Sequence, residues 1–84
     1  MPKLRVLSGE DLLRIFSQFG FEPHGQRGSH VKLRRYWQGQ KQTLTVPFHR
    51  EVDRGTLTAI YRQALRYLSE SQLQQYFYTD ASRG

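Results

Sequence analysis

Cysteine is absent from this chain of 84 residues. Disulfide bonds and thiolate zinc sites are therefore excluded. No stretch approaches the roughly 18 consecutive apolar residues of a membrane-spanning helix. Met1-Pro2-Lys3-Leu4-Arg5 is not followed by an apolar segment of the secretory kind, so the expected location is the cytoplasm. Apolar types make up only 37% of the residues. That is enough for the core of one small domain over residues 1–84, ordered from about residue 8 to 78, with little room for a deep pocket or a bulky cofactor. No internal repeat, low-complexity linker or glycine-rich phosphate loop is present.

Acidic residues are also scarce: 7 Asp and Glu stand against 13 Lys and Arg, a net charge of +6. The imbalance is local. Pro23 to Arg50 contains no acid and six bases, Arg27, Lys32, Arg34, Arg35, Lys41 and Arg50. Such a stretch points to an anionic partner, either nucleic acid or an acidic protein.

Local patterns place the elements. Ser8 followed by Glu10 and Asp11 is an N-cap signature with acids where the helix dipole favours them. Leu12, Ile15, Phe16 and Phe19 recur at helical spacing, and Gly20 suits a helix end, so a helix is expected over about 9–19. Phe21 to Gln26, broken by Pro23 and Gly25, reads as an edge strand. Arg27-Gly28 is a turn. Ser29 to Trp37 is the clearest strand: Ser29, Val31, Leu33 and Arg35 share one face, and His30, Lys32, Arg34 and Tyr36 share the other. Gln38 to Lys41 is expected to form a hairpin loop. Gln42 to Phe48 is a third strand with Leu44, Val46 and Phe48 inward and Thr43 and Thr45 outward.

From Gly55 or Thr56 the helical period returns through Leu57, Ile60, Tyr61, Ala64 and Leu68, with Asp53 or Thr56 as cap; Arg62 and Arg66 fall on a solvated side. Ser69-x-x-Gln72 is a capping box for a last short helix carrying Leu73, Tyr76 and Phe77. Residues 1–7 read as a lead-in, and Thr79 to Gly84 as a fraying end. The expected fold is α+β, ordered α-β-β-β-α with a three-stranded antiparallel meander and an added C-terminal helix. Two helices cover one sheet face. The open face carries His30, Lys32 and Arg34.

Three histidines, His24, His30 and His49, bear on chemistry. Their spacing matches no common metal motif, so no metal or other cofactor is expected. Ser29 and His30 point to opposite faces and cannot begin a serine triad. His30 stands at a strand start after a tight turn, with Lys32 and Arg34 following on its face. RNA cleavage needs little more: a base for the 2′-hydroxyl proton, cations for charge building on the phosphate, and an acid for the leaving oxygen. Histidine can serve as base or acid near neutral pH. His49 is a candidate second proton carrier, and His24 a weaker one. Tyr36 and Trp37 are residue types that stack on bases, although strand parity turns Trp37 to the core side.

Gly28-Ser29-His30, Thr45-Val46-Pro47-Phe48-His49 and Gly55-Thr56-Leu57, in this order, resemble the HicA family of toxins. Ser69-Glu70-Ser71-Gln72-Leu73 is similar to that family's final helix, so the resemblance spans about residues 8–78. It implies a fold like a double-stranded-RNA-binding domain and an endoribonuclease that cuts mRNA and arrests translation. It further implies His30 as the catalytic residue and a HicB-like antitoxin that covers it. Arg27, Gly28, Ser29, Lys32, Arg34 and His49 are then the candidates for holding RNA. The chain departs from the family pattern in the bases and aromatics of Lys32 to Trp37, and in Glu51 and Asp53. A non-catalytic RNA-binding module, or a domain that mainly binds an acidic protein, would show the same basic face.

Overall fold

The computed structural model describes residues 2–80, with the side chains of Pro2 and Asp80 left aside. Its elements in chain order are β1 (Pro2–Leu4), α1 (Gly9–Ser17), β2 (Glu22–Arg27), β3 (His30–Trp37), β4 (Gln40–Pro47), α2 (Arg54–Ala64), α3 (Glu70–Phe77) and β5 (Tyr78–Asp80). β2, β3 and β4 form a three-stranded antiparallel sheet with β3 at its centre. This is the expected α+β, double-stranded-RNA-binding-domain-like α-β-β-β-α arrangement.

β3 alternates as its sequence requires. Val31, Leu33 and Arg35 are buried, while His30, Lys32 and Tyr36 are exposed. From β4, Leu44 and Val46 join the buried side and Thr43 and Thr45 face out. The inner residues pack with Leu12, Phe16, Leu57, Ile60 and Phe77 of the helices. Phe16 meets Phe21 edge-on at 6.1 Å between ring centroids, and Tyr61 meets Phe77 edge-on at 5.3 Å. Such pairs add to the burial of large apolar surface.

Among the described residues, Arg35 is the one buried charged residue, at 8% exposure. Its guanidinium donates to Gln42 Oε1 (2.6 Å) and to the Phe19 carbonyl (2.8 Å), and it lies 4.8 Å from the ring centroids of both Phe21 and Trp37. Loss of water lowers its pKa from the ordinary arginine value.

The turns are tighter than the sequence pattern indicates. Trp37 pairs with Gln40, which leaves the loop only Gln38-Gly39; both residues have positive φ, as in the hairpin turn that matches strand twist. β4 accordingly starts at Gln40. α1 ends at Ser17 rather than Phe19, because Gln18, Phe19 and Gly20 donate to carbonyls only three residues back. Asp53, not Thr56, caps α2, accepting from the Thr56 N–H (3.1 Å) and hydroxyl (2.7 Å). Capping boxes at Ser8/Asp11 and Ser69/Gln72 are both formed.

Four expectations need correction. The N-terminal lead-in is a strand: Pro2–Leu4 pairs antiparallel with Tyr78–Asp80, and the Arg5 N–H donates to the Phe77 carbonyl at 2.8 Å. Thr79 and Asp80 are thus ladder residues rather than a frayed end, and residues 81–84 lie outside the described part. Phe48 was expected inward but is 47% exposed, because the strand ends at Pro47 and the two-residue alternation no longer applies. Trp37, assigned to the core by parity, is 52% exposed at the sheet end, where its ring lies against the Arg35 guanidinium instead of packing into the interior.

Gly9 explains how α1 meets the sheet. A Cβ at this position would lie 2.5 Å from the Pro47 carbonyl oxygen and 2.6 Å from Phe48 Cα. The Gly9 N–H also donates to the His49 carbonyl at 2.8 Å. The helix start therefore sits directly against the end of β4.

Ser8→Ala should lower unfolding stability by about 0.5–2 kcal/mol in urea titrations, and Gly9→Ala should cost about 1–3 kcal/mol, because backbone rather than a flexible side chain must move. Asp11 accepts from the Ser8 N–H at 2.9 Å and from Arg14 at 2.8 Å, and its pKa falls below 3.8, chiefly through the bond from the Ser8 backbone. A depressed carboxylate stabilises the fold above its unfolded pKa and loses that contribution as pH falls through the folded value. Thermal midpoints should hold near pH 5 and drop below about pH 4, and Asp11→Asn should flatten that drop.

Candidate functional site

The tight turn between β2 and β3 builds the site. Arg27 pairs with His30, which leaves Gly28 and Ser29 as the two turn residues. Gly28 has φ +59°, a conformation that glycine adopts without steric cost. His30 is the first residue of β3. It lies directly across from Arg27 on one side and Pro47 on the other, and its side chain is exposed.

Two hollows meet at His30. One, of about 530 Å³, runs along the outer sheet face and is lined by His24, Arg27, His30, Lys32 and Thr45 among others. The second, of about 280 Å³, lies between the end of β4 and α2, where His30 is joined by His49, Asp53, Thr56 and Gln63. His30 is thus reachable from the basic face and from the helix side.

His49 lies beyond β4, yet it is tied to the His30 turn. Its Nε2 is 3.1 Å from Ser29 Oγ, and the neighbouring Phe48 N–H donates to the Ser29 carbonyl at 2.6 Å. Pro47 is the cross-strand partner of His30. The loop holding His49 is fixed in turn by the backbone contact with Gly9.

The other sequence-selected residues take different places. Lys32 is exposed opposite Thr45 and Gly25. Arg34 is half-buried: its Nη1 is 3.1 Å from His24 Nε2, and its guanidinium lies 5.3 Å from the centre of the Tyr36 ring. His24 therefore sits with Arg34, away from the turn, at the register irregularity between Pro23 and Gly25. Arg62 and Arg66 are exposed on the α2 side, as expected. Among the described residues, no group of three or more His, Asp or Glu side chains is placed to hold a metal ion.

Sequence reasoning missed the acidic and hydroxyl wall of the second hollow. Hydrogen bonds from the Thr56 hydroxyl and then its N–H lower the Asp53 pKa, which keeps an anion at its rim. The signal was Asp53 and Thr56, weighed only as alternative caps of α2. Gln63 was missed too: its Oε1 accepts from the Thr45 N–H at 3.0 Å, closing part of the free edge of β4.

A family model described as the HicA toxin of bacterial toxin–antitoxin systems matches residues 9–65, from the start of α1 to the cap of α2. No curated protein and no solved structure matches the chain. No helix among the described residues is long and apolar enough to cross a membrane. The family match takes in the Gly28-Ser29-His30 turn, the His49 loop and the Gly55-Thr56-Leu57 helix start: the chain belongs to the HicA family, the toxins of bacterial toxin–antitoxin pairs.

Proposed function

We propose that this toxin is an endoribonuclease that cleaves mRNA and thereby arrests translation in the cytoplasm. The observation that carries the reading is the exposed His30 imidazole on a cationic sheet face, between Arg27 across the turn and Lys32 along the strand. His30 removes the proton from a ribose 2′-hydroxyl. The 2′-oxygen then attacks the adjacent phosphorus, and the bond from phosphorus to the 5′-oxygen breaks, giving a 2′,3′-cyclic phosphate and a free 5′-hydroxyl. His49, tied to Ser29, supplies the proton that the departing 5′-oxygen takes up. Arg27 and Lys32 offset the charge that builds on the phosphate oxygens. Gly28 and Ser29 let the RNA backbone approach the turn, and Arg34 holds a phosphate further along the face. No metal ion enters these steps. A HicB-like antitoxin neutralises the toxin by covering His30.

Cleavage of an RNA oligonucleotide in EDTA tests the assignment. His30→Ala should lower the rate by about 10²–10⁴-fold, the usual contribution of a positioned acid or base, with an unchanged unfolding curve, and growth arrest on expression should vanish. Equal cutting by wild type and His30→Ala would overturn it. RNA binding without any product would instead favour a non-catalytic RNA-binding module.

His49→Ala should also slow cleavage, by about 10²-fold. A nucleotide ester whose leaving group is nitrophenolate departs without a proton. That substrate should restore the rate of His49→Ala and leave His30→Ala inactive. If it rescues neither variant, His49 is not the acid.

A further inference from the structure

The outer face of β3 continues past the site. His30, Lys32, Arg34 and Tyr36 follow one another at two-residue intervals, so Tyr36 stands about 20 Å from His30 along the strand. Tyr36 is 64% exposed, and Lys41 of β4 is its direct cross-strand partner. An exposed tyrosine on a sheet face gains little for folding, and this one is not loose. The Arg34 guanidinium lies 5.3 Å from its ring centre, and Arg34 is itself held by His24 at 3.1 Å. The ring is thus backed by a cation that strengthens stacking, while most of its surface faces solvent. A hollow of about 200 Å³ lined by Glu22, His24, Arg34 and Tyr36 opens beside it. Glu22 lies across from Arg34 but makes no ion pair with it, since Arg34 bonds His24 instead.

From these placements we infer that Tyr36 is a base-stacking subsite for single-stranded RNA, reached by a strand that leaves the cleavage position along Lys32 and Arg34. Phosphates follow Lys32, Arg34 and Lys41, and one base unstacks onto the Tyr36 ring. The positive face by itself would accept any polyanion. The aromatic ring requires a base with a free face, which a duplex interior does not offer. The face therefore selects unpaired RNA over the A-form duplex that a double-stranded-RNA-binding-like fold would otherwise suggest. This inference deepens the ribonuclease reading by naming its substrate class, and it is testable without cleavage.

The experiment uses the full chain carrying His30→Ala, so that RNA stays intact, and measures binding to a single-stranded oligoribonucleotide, the same sequence as a duplex, and an abasic oligonucleotide of equal length. The single strand should bind more tightly than either control. Adding Tyr36→Ala should weaken single-strand binding by about tenfold or more, erase the preference over the abasic control, and leave the unfolding curve in place; Tyr36→Phe should keep both. Equal binding of base-bearing and abasic strands, or an unchanged affinity in Tyr36→Ala, overturns the subsite. So does a Tyr36→Ala defect confined to the antitoxin complex, which would make the ring a protein contact. If wild type fails to cut RNA while the Tyr36 dependence holds, the ribonuclease reading falls and the subsite stands.

Discussion

The register of β3 is the constraint on which the molecule depends. The strand is paired on both edges, so its side chains have only two destinations: the helix-covered core or the open face. A slip by one residue would expose Val31 and Leu33 and bury His30, Lys32 and Arg34. Burying unpaired cations costs far more than any pattern of turns returns. Arg35 sharpens the point, because it is charged and on the buried side. Its partners are neutral: the Gln42 amide oxygen, the Phe19 carbonyl and two aromatic faces. That constellation exists in one register only. The same residue that looks like a fault in the apolar pattern thus helps to specify it.

A second chain of contacts connects helix capping to the site. Ser8 and Asp11 fix where α1 begins, and that places Gly9 against Pro47 and Phe48. The Gly9 N–H then holds the His49 carbonyl, and His49 reaches Ser29, the neighbour of His30. Each link is short-range and modest in energy. Together they hold the two imidazoles from elements far apart in sequence at adjoining walls of one hollow. Side-chain geometry at such a site is set by the backbone contacts behind it, which is why a missing Cβ in a helix far from His30 in sequence bears on its surroundings.

Much of this was legible from residue order. Two-residue alternation in Ser29 to Trp37 located the outer face, and the Ser8 and Ser69 patterns located two helix starts, because these signals are local. What stayed hidden was non-local. Pro2–Leu4 and Tyr78–Asp80 are too short to show a period, and only their mutual hydrogen bonds make them strands. Phe48 was misplaced because alternation was carried past the point where the ladder stops, and Trp37 because at the last rung of the ladder its ring meets the Arg35 guanidinium rather than the core. Asp53 and Thr56 read as alternative caps, and nothing in their spacing shows that the capped helix end faces His30 and His49. The family resemblance added roles for these motifs, while the contacts that bring them together belong to the fold.

Placing the proposed catalytic imidazole at a strand end, rather than in a loop, has a consequence for control. The position is preorganised by the sheet, so no ordering step precedes the proposed chemistry. The same rigidity leaves His30 exposed in the isolated chain, on a face with a strong positive charge. Any inhibitor that reaches the imidazole has to lie over Arg27 and Lys32, and so has to carry negative charge or leave those cations desolvated without partners. On the proposed function, RNA and an antitoxin that covers His30 would compete for one electrostatic footprint, and exclusion would follow from overlap without any change of shape in the toxin. The proposed stacking role of Tyr36 would separate the two ligands chemically, since a stacked base and an acidic peptide make different demands on an exposed aromatic ring.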